Sequence, residues 1–295
     1  MKTLKFLAGM LLVASCICLT GCDKEETEAP TSNKFSVSAG KQVRFSPGNL
    51  QYSHSTDTWS FAEHQYDMIG TDNVVGGDVQ IDSLDAYYYK YGNTLADKID
   101  LFGWSGSTGS AKWGVSTSAD YSDYSGDFVD WGKNTIGTDV PDTWRTLTKD
   151  EWDYLLSGRT NANNLKGVAR INLDSCGSKY ANGLVLLPDD WTCPAGVTFM
   201  SGFASEWGVQ TYADYQTFTL SDWQLLESAG AVFLPASGSR EKSRVSYVQL
   251  DGEYWSATLD YWDMYCLYID SDEASMGDSD FCDNGRAVRL VQDLE

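Results

Sequence analysis

Along most of the chain apolar and polar positions alternate in short runs, and few stretches repeat at helical spacing. Phe35-Ser36-Val37 and Val43-Arg44-Phe45 read as edge or half-buried strands. Residues 183–188 and 231–235 are continuous apolar runs, the pattern of strands covered on both faces. Residues 245–250 and 253–256 flank Asp251-Gly252, a dipeptide suited to a tight turn, and predict a hairpin there. Residues 265–270 read as a strand expected to pair with the one ending at Val291.

Two helix starts are signalled, and they are built alike. Thr148-Lys149-Asp150-Glu151-Trp152 opens one and Thr219-Leu220-Ser221-Asp222-Trp223 the other. In each, Thr is the expected N-cap and an acid occupies the third helical position, where it can bond back to the cap and also suits the helix dipole. Leu147 with Trp152, and Phe218 with Trp223, have the spacing of a hydrophobic staple. Leu155-Leu156 and Leu225-Leu226 are expected to face the core, with Gly158 and Gly230 as C-caps.

The N-terminus changes the picture, because residues 1–21 read as a signal and not as part of the fold. Lys2 and Lys5 precede an apolar run, 6–19, that is too short for a membrane span, and Leu19-Thr20-Gly21-Cys22 follows. That order resembles the lipobox of bacterial lipoproteins and makes Cys22 the expected lipidated residue. Residues 22–34 then form a tether, and Asp23-Lys24-Glu25-Glu26-Thr27-Glu28 looks like the surface-export signal of Bacteroidetes lipoproteins. Residues 35–295 form the expected globular domain. The net charge of -21, with 42 Asp+Glu against 21 Lys+Arg, argues against nucleic acid as a partner and leaves a lipid anchor as the expected membrane contact.

Further blocks carry a family resemblance. Residues 43–52, Asp100-Leu101-Phe102-Gly103-Trp104, Trp144-Arg145-Thr146-Leu147-Thr148, residues 230–236, Tyr254-Trp255-Ser256 and residues 285–291 resemble the Fibrobacter succinogenes major paralogous domain. That resemblance implies an α+β, C-type-lectin-like fold akin to formylglycine-generating enzymes. Two short helices would pack on twisted antiparallel sheets with long loops. It also implies a ligand-binding face in the C-terminal segment, of a kind that diversity-generating retroelements vary. Leu259, Asp260, Tyr261, Trp262, Met264, Cys266, Tyr268, Asp270, Asp280, Phe281 and Cys282 are the candidate binding residues. The strand face made of Tyr265, Leu267 and Ile269 suits a core, whereas Met264, Cys266, Tyr268 and Asp270 are chemically unlike one another.

Catalytic chemistry is poorly represented. No G-x-S-x-G, H-E-x-x-H or phosphate-loop motif occurs, and His54 and His64 are the only histidines. The close cysteine pair of formylglycine-generating enzymes is missing. No catalytic residue, metal site or cofactor is therefore expected. Asp270-Ser271-Asp272-Glu273 reads as a solvated acidic loop, since Ala274 and Ser275 stand where a calcium loop needs a ligand and a Gly. The series Asp120, Asp123, Asp127 and Asp130 reads the same way. Export permits disulfides, and Cys266–Cys282 with Cys176–Cys193 is the expected pairing. Three functions remain open: a surface lipoprotein binding a protein or glycan, a non-diversified glycan binder, and a divergent enzyme.

Overall fold

The computed structural model describes residues 33–81, 88–104, 106–107, 111–115, 124, 126–204, 211–261 and 263–294. The signal, Cys22, most of the tether, Asp120, Asp123 and Trp262 lie outside the described residues. Short strands dominate, giving a mixed α+β architecture of mostly antiparallel sheets with few short helices. No helix among the described residues is long and apolar enough to cross a membrane.

The alternating N-terminal segments form strands Phe35–Ser38 and Lys41–Phe45, paired antiparallel, with Val291–Asp293 added on the far side of the second. The two apolar runs pair with each other, Tyr180–Leu186 against Val232–Pro235. Lys166–Asn172 flanks the former, and its other edge takes Thr217–Thr219 in parallel. Glycine is required at Gly183, where an added Cβ would sit 2.3 Å from the Leu234 carbonyl oxygen. The strands can close up only because that atom is missing.

Both helices start where their caps predict. Thr148 and Thr219 accept from the amides of Glu151 and Asp222, and both acids accept the reciprocal bond from the cap amides, which completes two capping boxes. Trp152 and Trp223 are fully buried. Leu155, Leu156 and Leu226 face the core, but Leu225 is 42% exposed, because the helix Leu220–Ser228 turns that position outward. Gly230 adopts φ +97° just past this helix and stops it, as expected of a C-cap. Gly158 acts differently. It ends a wide π-turn, Tyr154–Gly158, and an added Cβ there would strike the Tyr154 ring at 2.7 Å. A third short helix, Tyr212–Tyr215, carries its own Thr211 cap.

Two expected pairings give way to others. Asp251-Gly252 is no hairpin turn: Arg244–Ser246 pairs with Ser239–Glu241 and with Tyr88–Tyr91, and Gly252 opens a strand directed elsewhere. The reason is the intervening loop. Tyr247 and Gln249 take left-handed φ of 61° and 71°, and the Gln249 side chain is bound to the strand Tyr180–Leu186 at Tyr180 and Asn182. Residues 265–269 belong to Asp263–Ile269, the central strand of a three-stranded sheet between Gly252–Asp260 and Ala274–Asp280, and Asp270 lies just past its end. No strand ends at Val291: one begins there, Val291–Asp293, and it pairs with Lys41–Phe45 instead.

Hydrophobic burial divides into three clusters. The first packs Phe35, Trp152, Leu184, Leu234, Leu267 and Ile269. The second is rich in tryptophan, with Trp59, Trp104, Trp131 and Trp255 around Met264, Cys266 and Cys282. The third gathers Ile171, Val185, Trp223, Leu226 and Phe233 under the longest helix. Asp263–Ile269 is thus covered on both faces, one by the first cluster and the other by the second.

Candidate functional site

The eleven candidate binding residues of the C-terminal segment separate into four groups. Met264, Cys266 and Cys282 are buried in the tryptophan-rich cluster and form a second core surface, not a ligand face. The chemically mixed strand face that Met264 and Cys266 share with Tyr268 and Asp270 is therefore no sign of a displayed surface. Asp280 is half-buried and held by its neighbours. It pairs with Arg286, accepts from the Asn284 side chain and accepts the Phe281 amide at 2.7 Å. Leu259, Tyr261 and Phe281 are exposed near the tip of the sheet, with Tyr261 at 84% and in the left-handed region, φ 41°. Leu259 and Asp260 pair with Met264 and Asp263 across the hairpin that Tyr261 turns, and Trp262 lies outside the described residues. Tyr268 and Asp270 lie toward the opposite end of the same sheet.

At that opposite end six segments meet around a cleft of about 430 Å³. Tyr88 comes from the strand Tyr88–Tyr91, Arg170 from Lys166–Asn172, and Tyr180 and Asn182 from Tyr180–Leu186. The loop 247–251 supplies Tyr247, Gln249 and Asp251, the short helix brings Tyr212, and Asp270 with Ser271 closes the wall. The two left-handed residues, Tyr247 and Gln249, lie on this rim. Strain of that kind is held only where surrounding contacts fix it, and it is common at binding sites.

Most of the polar groups hold the cleft's shape. The Arg170 guanidinium lies over the Tyr180 ring at 3.9 Å, and its Nε donates to Asn182 Oδ1 at 2.9 Å. Asn182 Nδ2 donates to the Gln249 carbonyl at 2.8 Å, and Gln249 Nε2 donates to the Tyr180 carbonyl at 2.9 Å. The Tyr212 hydroxyl donates to the Leu250 carbonyl at 3.0 Å, and burial pushes that phenol well above its ordinary range. These contacts fix the Tyr180 and Tyr212 rings before any ligand arrives, which lowers the ordering cost of binding.

One wall is acidic. Burial, then the charges of Glu253 and Asp270, push the Asp251 carboxyl up to about 7, against a smaller opposing effect of a hydrogen bond from Tyr268. The Tyr268 hydroxyl also reaches Asp270 Oδ2 at 3.2 Å, and its own titration is pushed up by burial and by these acids. Asp270 Oδ1 accepts the amides of Asp272 and Glu273, so its loop is a side-chain-stabilised turn. Among the described residues no group of three metal-ligating side chains is placed to hold an ion.

The cysteines correct a further expectation. Neither disulfide is formed. Cys176 and Cys193 are exposed thiols that donate within their own loops, to Ser178 Oγ at 3.3 Å and to the Val197 carbonyl at 3.5 Å. Cys266 stands opposite Asp278 in the sheet, where Cys282 was expected to approach, and both thiols pack among tryptophans. Of the histidines, His64 is exposed, and half-buried His54 sits with Nδ1 3.0 Å from the Asp97 carbonyl.

The cleft residues other than Asp270 escaped the sequence reading. They come from segments more than 150 positions apart, and Asp251 carried the signature of a turn. Only the density of tyrosine hinted at a binding surface. Comparison with protein-family models, with curated proteins and with solved structures finds no match for this chain.

Proposed function

We propose that the chain is a cell-surface lipoprotein of the outer membrane, anchored through a lipid on Cys22, and that it captures a protein or glycan ligand in the tyrosine-lined cleft. One observation carries the placement of the seat. Tyr88, Tyr180, Tyr212 and Tyr247 converge with Arg170 and Asp251 on a cavity of about 430 Å³. Aromatic faces with a few fixed polar groups are the usual lining of small-ligand sites. The basic, apolar and Leu-x-Gly-Cys order of the N-terminus supports the anchor, and the acidic run after Cys22 supports outward display. A C-type-lectin-like arrangement remains the finer reading of the α+β fold, supported by the resemblance of the motif blocks.

A second contact surface is favoured by one feature, the exposure of Leu259, Tyr261 and Phe281 at the hairpin tip. Diversification of this segment would require a nearby near-copy of its coding sequence beside a reverse transcriptase gene, and if both are missing that reading falls. The capture function itself is tested by exposing the purified domain, 35–295, to glycan and peptide arrays. A Tyr180→Ala variant that retains the wild-type melting temperature serves as the comparison. Binding lost in the variant supports the cleft, and binding unchanged in the variant refutes it.

A further inference from the structure

We propose that the cleft is selective for an alkylammonium or guanidinium group, the side chain of a Lys or Arg presented by a protein partner, seated between the tyrosine rings and Asp251. This rests on the cleft being the ligand seat. The geometry supplies three converging reasons. First, Tyr180, Tyr212, Tyr247 and Tyr88 surround a cavity large enough for a long side chain, and ring faces attract organic cations. Second, the acidic wall lacks a counter-charge. Among the described residues no ion pair reaches Asp251 or Asp270. Arg286, which follows the last strand of that sheet, is already paired with Glu253 and Asp280. Third, the one cation among the described lining residues, Arg170, is laid flat on Tyr180 and tied to Asn182. It makes no ion pair among the described residues.

The groups facing Asp251 set the sign of the pH response. Glu253 lies two positions on, in the strand that Asp251 leads into, Tyr268 and Asp270 come from the end of the neighbouring strand and the residue after it, and Tyr212 and Arg170 line the same cleft. Burial, then the charges of Glu253 and Asp270, hold the Asp251 proton on near neutrality, and an arriving cation favours its release. Capture of the ammonium therefore ionises Asp251 and sends its proton to solvent, so affinity rises with pH through about 7.

The probe is an acetylated Gly-Gly-Lys-Gly-Gly amide, compared with the same peptide carrying norleucine, each titrated by NMR into the full domain. The lysine peptide is expected to bind better than the norleucine peptide at about pH 8. That preference should fall at least about 10-fold by about pH 5, as Asp251 takes up its proton. Asp251→Asn should remove both the preference and its pH dependence. Calorimetry in two buffers of different ionisation heat should show proton release near neutrality in the unmutated protein, a readout independent of that variant's folding. Equal binding of the two peptides, or a lysine preference that persists unchanged in Asp251→Asn, overturns the inference. So does a preference for a peptide carrying glutamate in place of the lysine, which would put Arg170 in control. A neutral glycan bound in the cleft with no lysine preference overturns this inference and leaves the cleft reading intact. Ligands that bind but are indifferent to Tyr180→Ala would remove both.

Discussion

Asp100 offers a perturbation whose size and pH dependence both follow from its surroundings. Its carboxylate is completely buried, and burial raises its pKa from 3.8 to about 6 against the opposing bonds from Ile69 and Asn73. The Ile69 amide donates to Oδ2 at 2.8 Å and Asn73 Nδ2 donates to Oδ1 at 2.7 Å. Asn73 cannot turn over to suit a changed partner, because its own Oδ1 accepts the amides of Asp100 and Leu101 at 2.9 and 3.1 Å. A carboxyl whose pKa is raised in the folded state binds its proton more tightly there than in the unfolded chain. Stability is therefore highest below 3.8 and is lost as pH rises through about 6. The full loss is about 3 kcal/mol, of which roughly half falls between about pH 5 and about pH 8. Asp100→Asn removes that dependence but leaves a donor facing a donor, at a cost of about 1–3 kcal/mol. Urea unfolding of both proteins at the two pH values should show the variant clearly weaker at the lower one. Its deficit should shrink by about 1.5 kcal/mol at the higher. A deficit equal at both values would refute the assignment of a raised pKa to Asp100.

Other expectations follow from single contacts. Thr148→Ala and Thr219→Ala should each lower unfolding free energy by about 1 kcal/mol, since each removes one half of a capping box. Leu226→Ala should cost about 2–5 kcal/mol and Leu225→Ala within about 0.5 kcal/mol, as the two leucines are fully buried and 42% exposed; equal costs in denaturation would contradict the helix facing. The unreduced domain should show four titratable thiols when denatured, with Cys176 and Cys193 reacting fast in the native protein and Cys266 and Cys282 slowly. Finding fewer than four would restore a disulfide. Cys22→Ser should move the protein from the membrane to the soluble fraction, and protease added to intact cells should remove the unmutated protein.

Local chemistry was legible where one segment decides its own structure. The caps at Thr148 and Thr219, the staples of Trp152 and Trp223, and the buried run 183–188 each carry their signal within a few residues. Pairing was less legible, because it depends on distant partners. Asp251-Gly252 has turn chemistry, yet Gln249 is drawn to the Tyr180 strand, and that contact overrides the local preference. The mixed face of Met264 and Cys266 resembled a display surface because the tryptophans that bury it come from Trp59, Trp104 and Trp131, far away in sequence. The cleft was hidden for the same reason: of its described walls, Asp270 and Ser271 alone stand in the C-terminal segment, and the rest comes from segments distant in sequence.

The central claim, that ligand enters between Tyr180 and Asp251 and not at the hairpin tip, is tested most directly by a paired substitution. Whatever glycan or peptide the arrays identify is titrated into the wild-type domain, into Tyr180→Ala and into Tyr261→Ala, all three checked for equal melting temperature. Loss of affinity of about 10-fold or more in Tyr180→Ala, a cost of about 1.4 kcal/mol, with Tyr261→Ala unchanged, is the predicted result. The reverse pattern would contradict the account and move the site to the exposed hairpin tip.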